Sequence, residues 1–355
     1  MENNMRTIQW EESSQQLKII DQNALPAELR FIHLKDHHEV ADAIHRMVVR
    51  GAPAIGVTAA YGMVLAALSF EGTEREKFLK MLQSAAQVLN TARPTAVNLS
   101  WATHRMLEFA SQTDEPVDVI KGEMLQLAHK VADEDVEVNK AMSRFGAELI
   151  DDGDRIVHHC NTGALATVDY GTALGVIRMA HEQGKRIHVY VDETRPRLQG
   201  SRLTAWELQQ YGIPFEIITD SSSGLLMRMR KVDKVIFGAD RVAANGDVVN
   251  KIGTYMLALA AYDNAVPAYS VFPMSTVDYN CPNGEAIIIE KRDPAEVLDL
   301  RFRDELVNPP GAKALNLAFD ITPHRLLSGL VTEHGVLYPP FFKSLANIRI
   351  PWRKI

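Results

Sequence analysis

The chain has 355 residues, 46% hydrophobic and 23% charged, a balance that allows a sizeable core and about two domains. Its formal net charge is -7. No block of lysines or arginines interrupts it, so a nucleic-acid partner is not expected, and an anionic ligand would need locally placed cations. The two cysteines, Cys160 and Cys281, make no disulfide framework and suit a reducing cytoplasm. The opening stretch lacks an apolar signal core. No apolar run reaches membrane-spanning length, so no membrane partner is expected.

Residues 5–34 read as short strands and turns, with Leu17-Lys18-Ile19-Ile20-Asp21-Gln22 a strand entering a turn. Residues 37–49 have helical spacing, with Val40, Ile44, Met47 and Val48 on one face. Next comes Arg50-Gly51-Ala52-Pro53-Ala54-Ile55-Gly56. Glycine permits an unusual backbone and proline suits a first helical turn. Two readings fit: Arg50 and the following N–H groups face an anion, or this is a helix–helix turn that needs Gly and Pro. Residues 52–70 read as a buried helix. After a helix over 77–90, Arg93 precedes a proline and is expected to be extended. It is either a second cation for an anionic ligand or a solvated loop arginine. Asn98 starts another helix. Residues 115–150 read as one or two amphipathic helices, with Asp133-Glu134-Asp135 at a helix start.

From Asp154 the period changes. Strand-like runs at 155–159, 186–191, 215–219, 234–237 and 268–271 alternate with helical runs at 164–183, 202–211, 223–231 and 251–263. That alternation predicts a parallel, doubly wound sheet. The expected fold is α/β: a mainly helical N-terminal domain with short strands over 1–130, then a Rossmann-like domain over 131–355. No G-x-G-x-x-G follows the first strand, so a dinucleotide is not indicated.

Each strand of that series ends in polar groups, and in open α/β sheets ligands bind at the strands' carboxyl edge. The first is followed by Cys160-Asn161-Thr162-Gly163, read as opening a helix whose N-terminus suits a phosphate or a thiolate. Cys160 is either that thiolate or a small buried hydrophobe. Adjacent His158 and His159 point to opposite faces of a strand and cannot easily share a metal ion. Asp192-Glu193-Thr194-Arg195-Pro196 and Asp220-Ser221-Ser222 follow the second and third strands. Gly238-Ala239-Asp240-Arg241 and later Asn250-Lys251-Ile252-Gly253 follow the fourth, and Pro273-Met274-Ser275-Thr276 the fifth.

These residues resemble the methylthioribose-1-phosphate isomerase family of methionine salvage over nearly the whole chain. The likeness is carried by Arg50–Gly56, Arg93–Leu99, His159–Gly163, Glu193–Pro196, Leu198–Gly200, Gly238–Arg241 and Asn250–Thr254. Glu290-Lys291-Arg292-Asp293-Pro294, Phe319-Asp320-Ile321-Thr322-Pro323 and Val331-Thr332-Glu333-His334-Gly335 extend it. Lys291 stands where that family commonly has an acidic residue. The same fold is shared by regulatory subunits of a translation-initiation guanine-nucleotide exchange factor, which are not enzymes, and is similar to archaeal ribose-1,5-bisphosphate isomerase. The resemblance implies a sugar-phosphate isomerase acting without a metal or organic cofactor, as a homodimer. It implies Cys160 and Asp240 as catalytic residues. Arg50, Gly51, Ala52, Arg93, Gln199, Asn250 and Lys251 would line the substrate site, at the domain boundary. The alternative is a non-catalytic sugar-phosphate- or nucleotide-sensing regulatory subunit.

Overall fold

The computed structural model describes residues 6–94 and 96–348. Met5, Thr95 of the Arg93–Leu99 motif and the last residues of the chain lie outside them. Of the described residues, those up to Ala141 together with Thr162–Gly175 form one compact unit. Met142–Asn161 and the described residues from Val176 onward form another.

In the first unit, β1 (Ile8–Glu11), β2 (Gln16–Ile20) and β3 (Phe31–Leu34) make an antiparallel meander, with Ile8 opposite Ile19 and Leu17 opposite Leu34. Helix α1 (His37–His45) is capped by Asp36, whose carboxylate accepts the N–H groups of His38 and Glu39. Helix α2 (Ala52–Leu68) is apolar all round and buried along almost its whole length, as the sequence predicts. Helices α3 (Arg75–Ala92) and α4 (Val97–Gln112) pack on it. A Cβ at Gly56 would stand 3.0 Å from the Asn98 carbonyl oxygen, so α2 and α4 approach closely there.

Helix α5 runs unbroken over Val117–Ala147. Asp133, Glu134 and Asp135 therefore sit mid-helix, not at the expected helix start. Each acid has a partner from elsewhere in the chain. Asp133 pairs with Arg6 at 2.8 Å, Glu134 with Arg105 at 2.7 Å, and Asp135 accepts the Val168 N–H at 2.8 Å.

The second unit is built on a seven-stranded sheet. Its strands are β4 (Arg155–His158), β5 (His188–Asp192), β6 (Phe215–Ile218), β7 (Lys234–Phe237), β10 (Ala268–Val271), β15 (Gly329–Thr332) and β16 (Gly335–Leu337). The order is β6-β5-β4-β7-β10-β15-β16, parallel throughout except for β16. β7 and β15 are buried at every residue, as strands covered on both faces must be. The connecting helices are α6 (Ala173–Glu182), α7 (Ala205–Tyr211), α8 (Ser223–Arg228) and α9 (Thr254–Asp263). With right-handed crossovers, the reversal of strand order between β4 and β7 winds the helices onto opposite faces. The fold is the expected one: a mainly helical N-terminal region, then a Rossmann-like parallel sheet.

Two features depart from the sequence reading. No helix begins at Ala164. Ala164–Ala166 is a 3-10 turn, Gly163 and Gly171 form a bridge, and α6 starts only at Ala173. The Thr162 hydroxyl accepts the Leu174 N–H and its carbonyl accepts the Thr172 N–H, at 2.9 and 2.8 Å. These local bonds fold the segment into a loop in place of a helix. Second, Lys251 does not start a helix. It ends β9 (Val248–Lys251), in a further sheet of order β11-β8-β9-β14 with β8 (Arg241–Ala243), β11 (Val277–Asp278) and β14 (Phe319–Thr322). The rest is a ribbon of β12 (Arg301–Phe302) and β13 (Glu305–Leu306), with short helices α10 (Ala295–Leu298) and α11 (Phe341–Asn347). No helix among the described residues is long and apolar enough to cross a membrane.

Candidate active site

The sheet reverses its winding between β4 and β7, the place where a crevice opens at the carboxyl edge of such folds. His158 on β4 is level with Ile236 on β7. Cys160 lies two residues beyond the first of these and Asp240 four beyond the second, so both emerge on that edge from adjacent strands. Cys160 is buried and has φ +66°, an uncommon conformation for a residue with a side chain. Its N–H donates to the Thr194 hydroxyl oxygen at 2.9 Å, and its carbonyl accepts the Thr204 hydroxyl at 2.6 Å. Thr204 closes a π-helical turn, Gly200–Thr204, a form often found at functional sites. The Asn161 amide donates to Thr204 Oγ1 at 3.0 Å and to Glu207 Oε1 at 2.8 Å, tying the same loop to α7. Because α6 begins only at Ala173, the helix expected to open at Cys160 does not place its N-terminus there.

His159 is fully buried. Its Nδ1 lies 2.8 Å from Asp192 Oδ2 and its Nε2 2.9 Å from the Ile252 carbonyl oxygen. A carbonyl only accepts, so Nε2 carries a proton. Burial disfavours a charged ring, but the hydrogen bond to Asp192 together with the charges of Asp192 and Asp220 raises the His159 pKa overall. The other Asp192 oxygen accepts the Ser223 hydroxyl at 2.7 Å. His158 is the contrast: burial pushes its pKa down to about 3, and the neutral ring donates to the Ile236 carbonyl at 2.8 Å. His159, Asp192 and Asp220 bring ligand-type atoms within 4.8 Å of one another. Both His159 nitrogens are engaged in hydrogen bonds, and Asp220 accepts the N–H groups of Thr194 and Arg195 at 2.7 and 2.8 Å. All three side chains are held in place by hydrogen bonds within the protein.

Asp240 is half-buried, and its N–H donates to the Val249 carbonyl at 2.8 Å, which sets it beside β9. Asn250 and Lys251 follow on that strand and are buried. The Asn250 amide donates to the Thr254 hydroxyl at 3.0 Å. The Lys251 ammonium donates to the Ala318 carbonyl at 2.9 Å and lies 4.2 Å from the Phe319 ring centroid. The N-terminus of α9 is already occupied: Asp320 accepts the N–H groups of Gly253 and Tyr255 at 2.7 and 3.1 Å. Burial raises the Asp320 pKa to about 6. Gln199 precedes the π-helical turn, and its Oε1 is buried with no donor among the described residues, an acceptor suited to a ligand hydroxyl.

The remaining expected residues belong to the first unit. Arg50 is buried, Gly51 caps α2 with φ +99°, and Ala52 is the first residue of that helix. A side chain at Gly51 would run into the Ala166 backbone, so only glycine fits. Arg93 follows the last residue of α3 with φ −150° and ψ 85°, out of the helical region as its proline neighbour predicts. Cys160, Asp240, Gln199, Asn250 and Lys251 thus belong to the second unit, and Arg50, Gly51, Ala52 and Arg93 to the first. Sequence reading missed Thr204, which holds Cys160, and the capping role of Asp320. Both act through contacts distant in sequence, with no local signature.

Fold and site define a Rossmann-like α/β protein with a cysteine and a carboxylate at the switch point of its sheet, preceded by a helical unit. The model of the Initiation factor 2 subunit family (IF-2B) matches residues 48–339, and the chain belongs to that family. It is 48% identical over 345 residues to a methylthioribose-1-phosphate isomerase of Desulforamulus reducens, covering 97% of this chain and 99% of that one. The crystal structure of 5-methylthioribose 1-phosphate isomerase from Pyrococcus horikoshii OT3 is similar at 41% identity and TM-score 0.89, covering 98% of this chain and 97% of that one. That of translation initiation factor eIF-2B, subunit delta, from A. fulgidus is similar at 43% identity and TM-score 0.84, covering 97% of this chain and 100% of that one.

Proposed function

We propose that this chain is an aldose–ketose isomerase that converts 5-methylthioribose 1-phosphate to 5-methylthioribulose 1-phosphate in methionine salvage. The observation that carries the reading is near-full-length identity of 48% to a protein of that name. The presence of Cys160 and Asp240 on adjacent strand ends at the switch point supports it. As part of the same proposal the enzyme is a cytoplasmic homodimer, with a helical domain over 1–130 and a catalytic domain over 131–355.

The substrate's anomeric carbon carries the phosphate, so it has no free aldehyde and the ring must open first. Asp240, protonated, gives its proton to the ring oxygen as the C1–O bond breaks. Cys160, as thiolate, takes the proton from C2, leaving an enol phosphate. The thiol returns that proton to C1, the Asp240 carboxylate takes the C2 hydroxyl proton, and the 1-phosphate ketose results. In the alternative chemistry hydride moves from C2 to C1 and Cys160 only shapes the pocket. Arg50 with the backbone of Gly51 and Ala52, Arg93, Gln199, Asn250 and Lys251 hold the substrate. Arginine forks match phosphate oxygens and Lys251 adds a point charge. The scheme requires no metal or organic cofactor.

The test is incubation of the pure protein with methylthioribose 1-phosphate, in light and heavy water, followed by NMR. Ketose formation is expected, with deuterium at C1 if Cys160 exchanges its proton. Binding without turnover would favour the second reading, a regulatory subunit, which the likeness to the A. fulgidus protein keeps in view.

A further inference from the structure

We infer that His159 is a positioning residue for this reaction: its ring pins the strand end that carries Cys160 to the turn that follows Asn250 and Lys251. The inference rests on the isomerase reading for its kinetic consequence and on geometry for its substance. His159 is fully buried and immediately precedes Cys160. One nitrogen reaches Asp192 at the end of β5, and the other reaches the Ile252 carbonyl one residue beyond Lys251. The imidazole ring spans these two partners because its nitrogens diverge. Asp192 is itself fixed by the Ser223 hydroxyl at the start of α8. Gly253 leaves the ring its space: a Cβ there would stand 2.8 Å from His159 Cε1. Three segments bearing proposed site residues or their supports therefore meet on one side chain.

The charged and titratable groups bearing on the ring are Asp192, Asp220, Asp320 and His158. The pin does not depend on the ring's charge. A neutral ring with Nε2–H could keep both bonds if its neighbour donated to Nδ1. Asp192→Asn supplies that donor from its amide, while its oxygen still accepts from Ser223. His159→Phe keeps the ring volume and removes both donors. His159→Gln can satisfy one acceptor.

The experiment compares these three variants with the wild type. It measures kcat and KM for methylthioribose 1-phosphate, thermal unfolding, and the rate at which iodoacetamide modifies Cys160, read by peptide mass spectrometry. His159→Phe is expected to lose about 10²-fold in kcat, the scale of a small misplacement of reacting groups. The loss should persist at saturating substrate, and Cys160 should be modified about tenfold faster as its strand end loosens. His159→Gln should fall between, and Asp192→Asn should lose about tenfold less kcat than His159→Phe. His159→Phe within about threefold of wild type in both kcat and modification rate would overturn the inference. If His159→Phe yields no folded protein, the order of the other two decides: Asp192→Asn less impaired than His159→Gln supports the pin, and the reverse overturns it. A wild type that does not turn over the substrate would refute the isomerase reading instead. The modification rates would then decide the pin alone, faster in His159→Phe supporting it and equal rates overturning it.

Discussion

Gly253→Ala probes the joint between β9, α9 and His159. Gly253 has φ +105°, and its N–H is held by Asp320 at 2.7 Å. An added Cβ would stand 2.8 Å from His159 Cε1 and 3.2 Å from Nε2. The ring cannot swing away, because hydrogen bonds hold both of its nitrogens. The left-handed backbone costs alanine about 1–2 kcal/mol, and forcing a methyl into a packed site costs about 1–3 kcal/mol more. The sum, about 2–5 kcal/mol, is a large part of a typical total stability of about 5–15 kcal/mol. At about 2–4 °C per kcal/mol for a unit of this size, calorimetry should show the second unit's transition about 4–20 °C lower. Gly184→Ala is the control. Gly184 has φ +86°, but a Cβ there meets nothing within 4 Å, so only the backbone cost applies. Equal losses in the two variants would show that His159 yields, and the account of a rigid ring would fail.

Cys160→Ser and Asp240→Asn should each lower kcat by about 10²–10⁴-fold while leaving thermal unfolding near wild type, and turnover within about threefold in either would remove that residue from its role. Arg93→Ala should raise KM strongly, with Arg93→Lys a partial rescue because the fork is lost; a Lys variant indistinguishable from wild type would refute bidentate phosphate recognition. Asp320 titrates at about 6 in the folded protein, against roughly 4 unfolded. The folded state therefore binds the extra proton between those values, and this group's contribution to stability falls as pH rises from about 4 to about 6. The stability of wild type relative to Asp320→Asn should decline across that window and then level off; a difference independent of pH would refute the assignment.

The central strands were legible because fully buried parallel strands are written as short apolar runs. β7 and β10 have the predicted bounds, and β4 differs by one residue. The strand order that sets β7 beside β4, and so brings the ends bearing Cys160 and Asp240 onto adjacent strands, is not written in either strand's own residues. What was not legible depended on distant partners. Lys251 looked like the start of a helix because Gly253-Thr254 and a small-residue run follow it. Its strand exists because β14, nearly seventy residues on, pairs with it, Phe319 opposite Lys251. The stretch after Thr162 has helical composition, yet its hydroxyl and carbonyl capture the N–H groups of Leu174 and Thr172. The bridging role of His159 has no local signature, since neither Asp192 nor the Ile252 carbonyl is near it in sequence.

The backbone at Cys160 bears on its role independently of any relative. A non-glycine residue at φ +66° carries a conformational cost of about 1–3 kcal/mol, which persists only where the surroundings enforce it. Here they do. The N–H is fixed by the Thr194 hydroxyl, the carbonyl by the Thr204 hydroxyl, and the preceding side chain is buried between Asp192 and Ile252. Thr194, at φ +64°, is itself strained and is held by Asp220. Glycine would adopt the Cys160 conformation without this cost. A packing role would be met more cheaply by alanine or valine in an ordinary strand end. A thiol held in a strained conformation at the switch point of a parallel sheet supports the proposed proton transfer at Cys160, since strain of this kind gathers where a side chain must be held for a function.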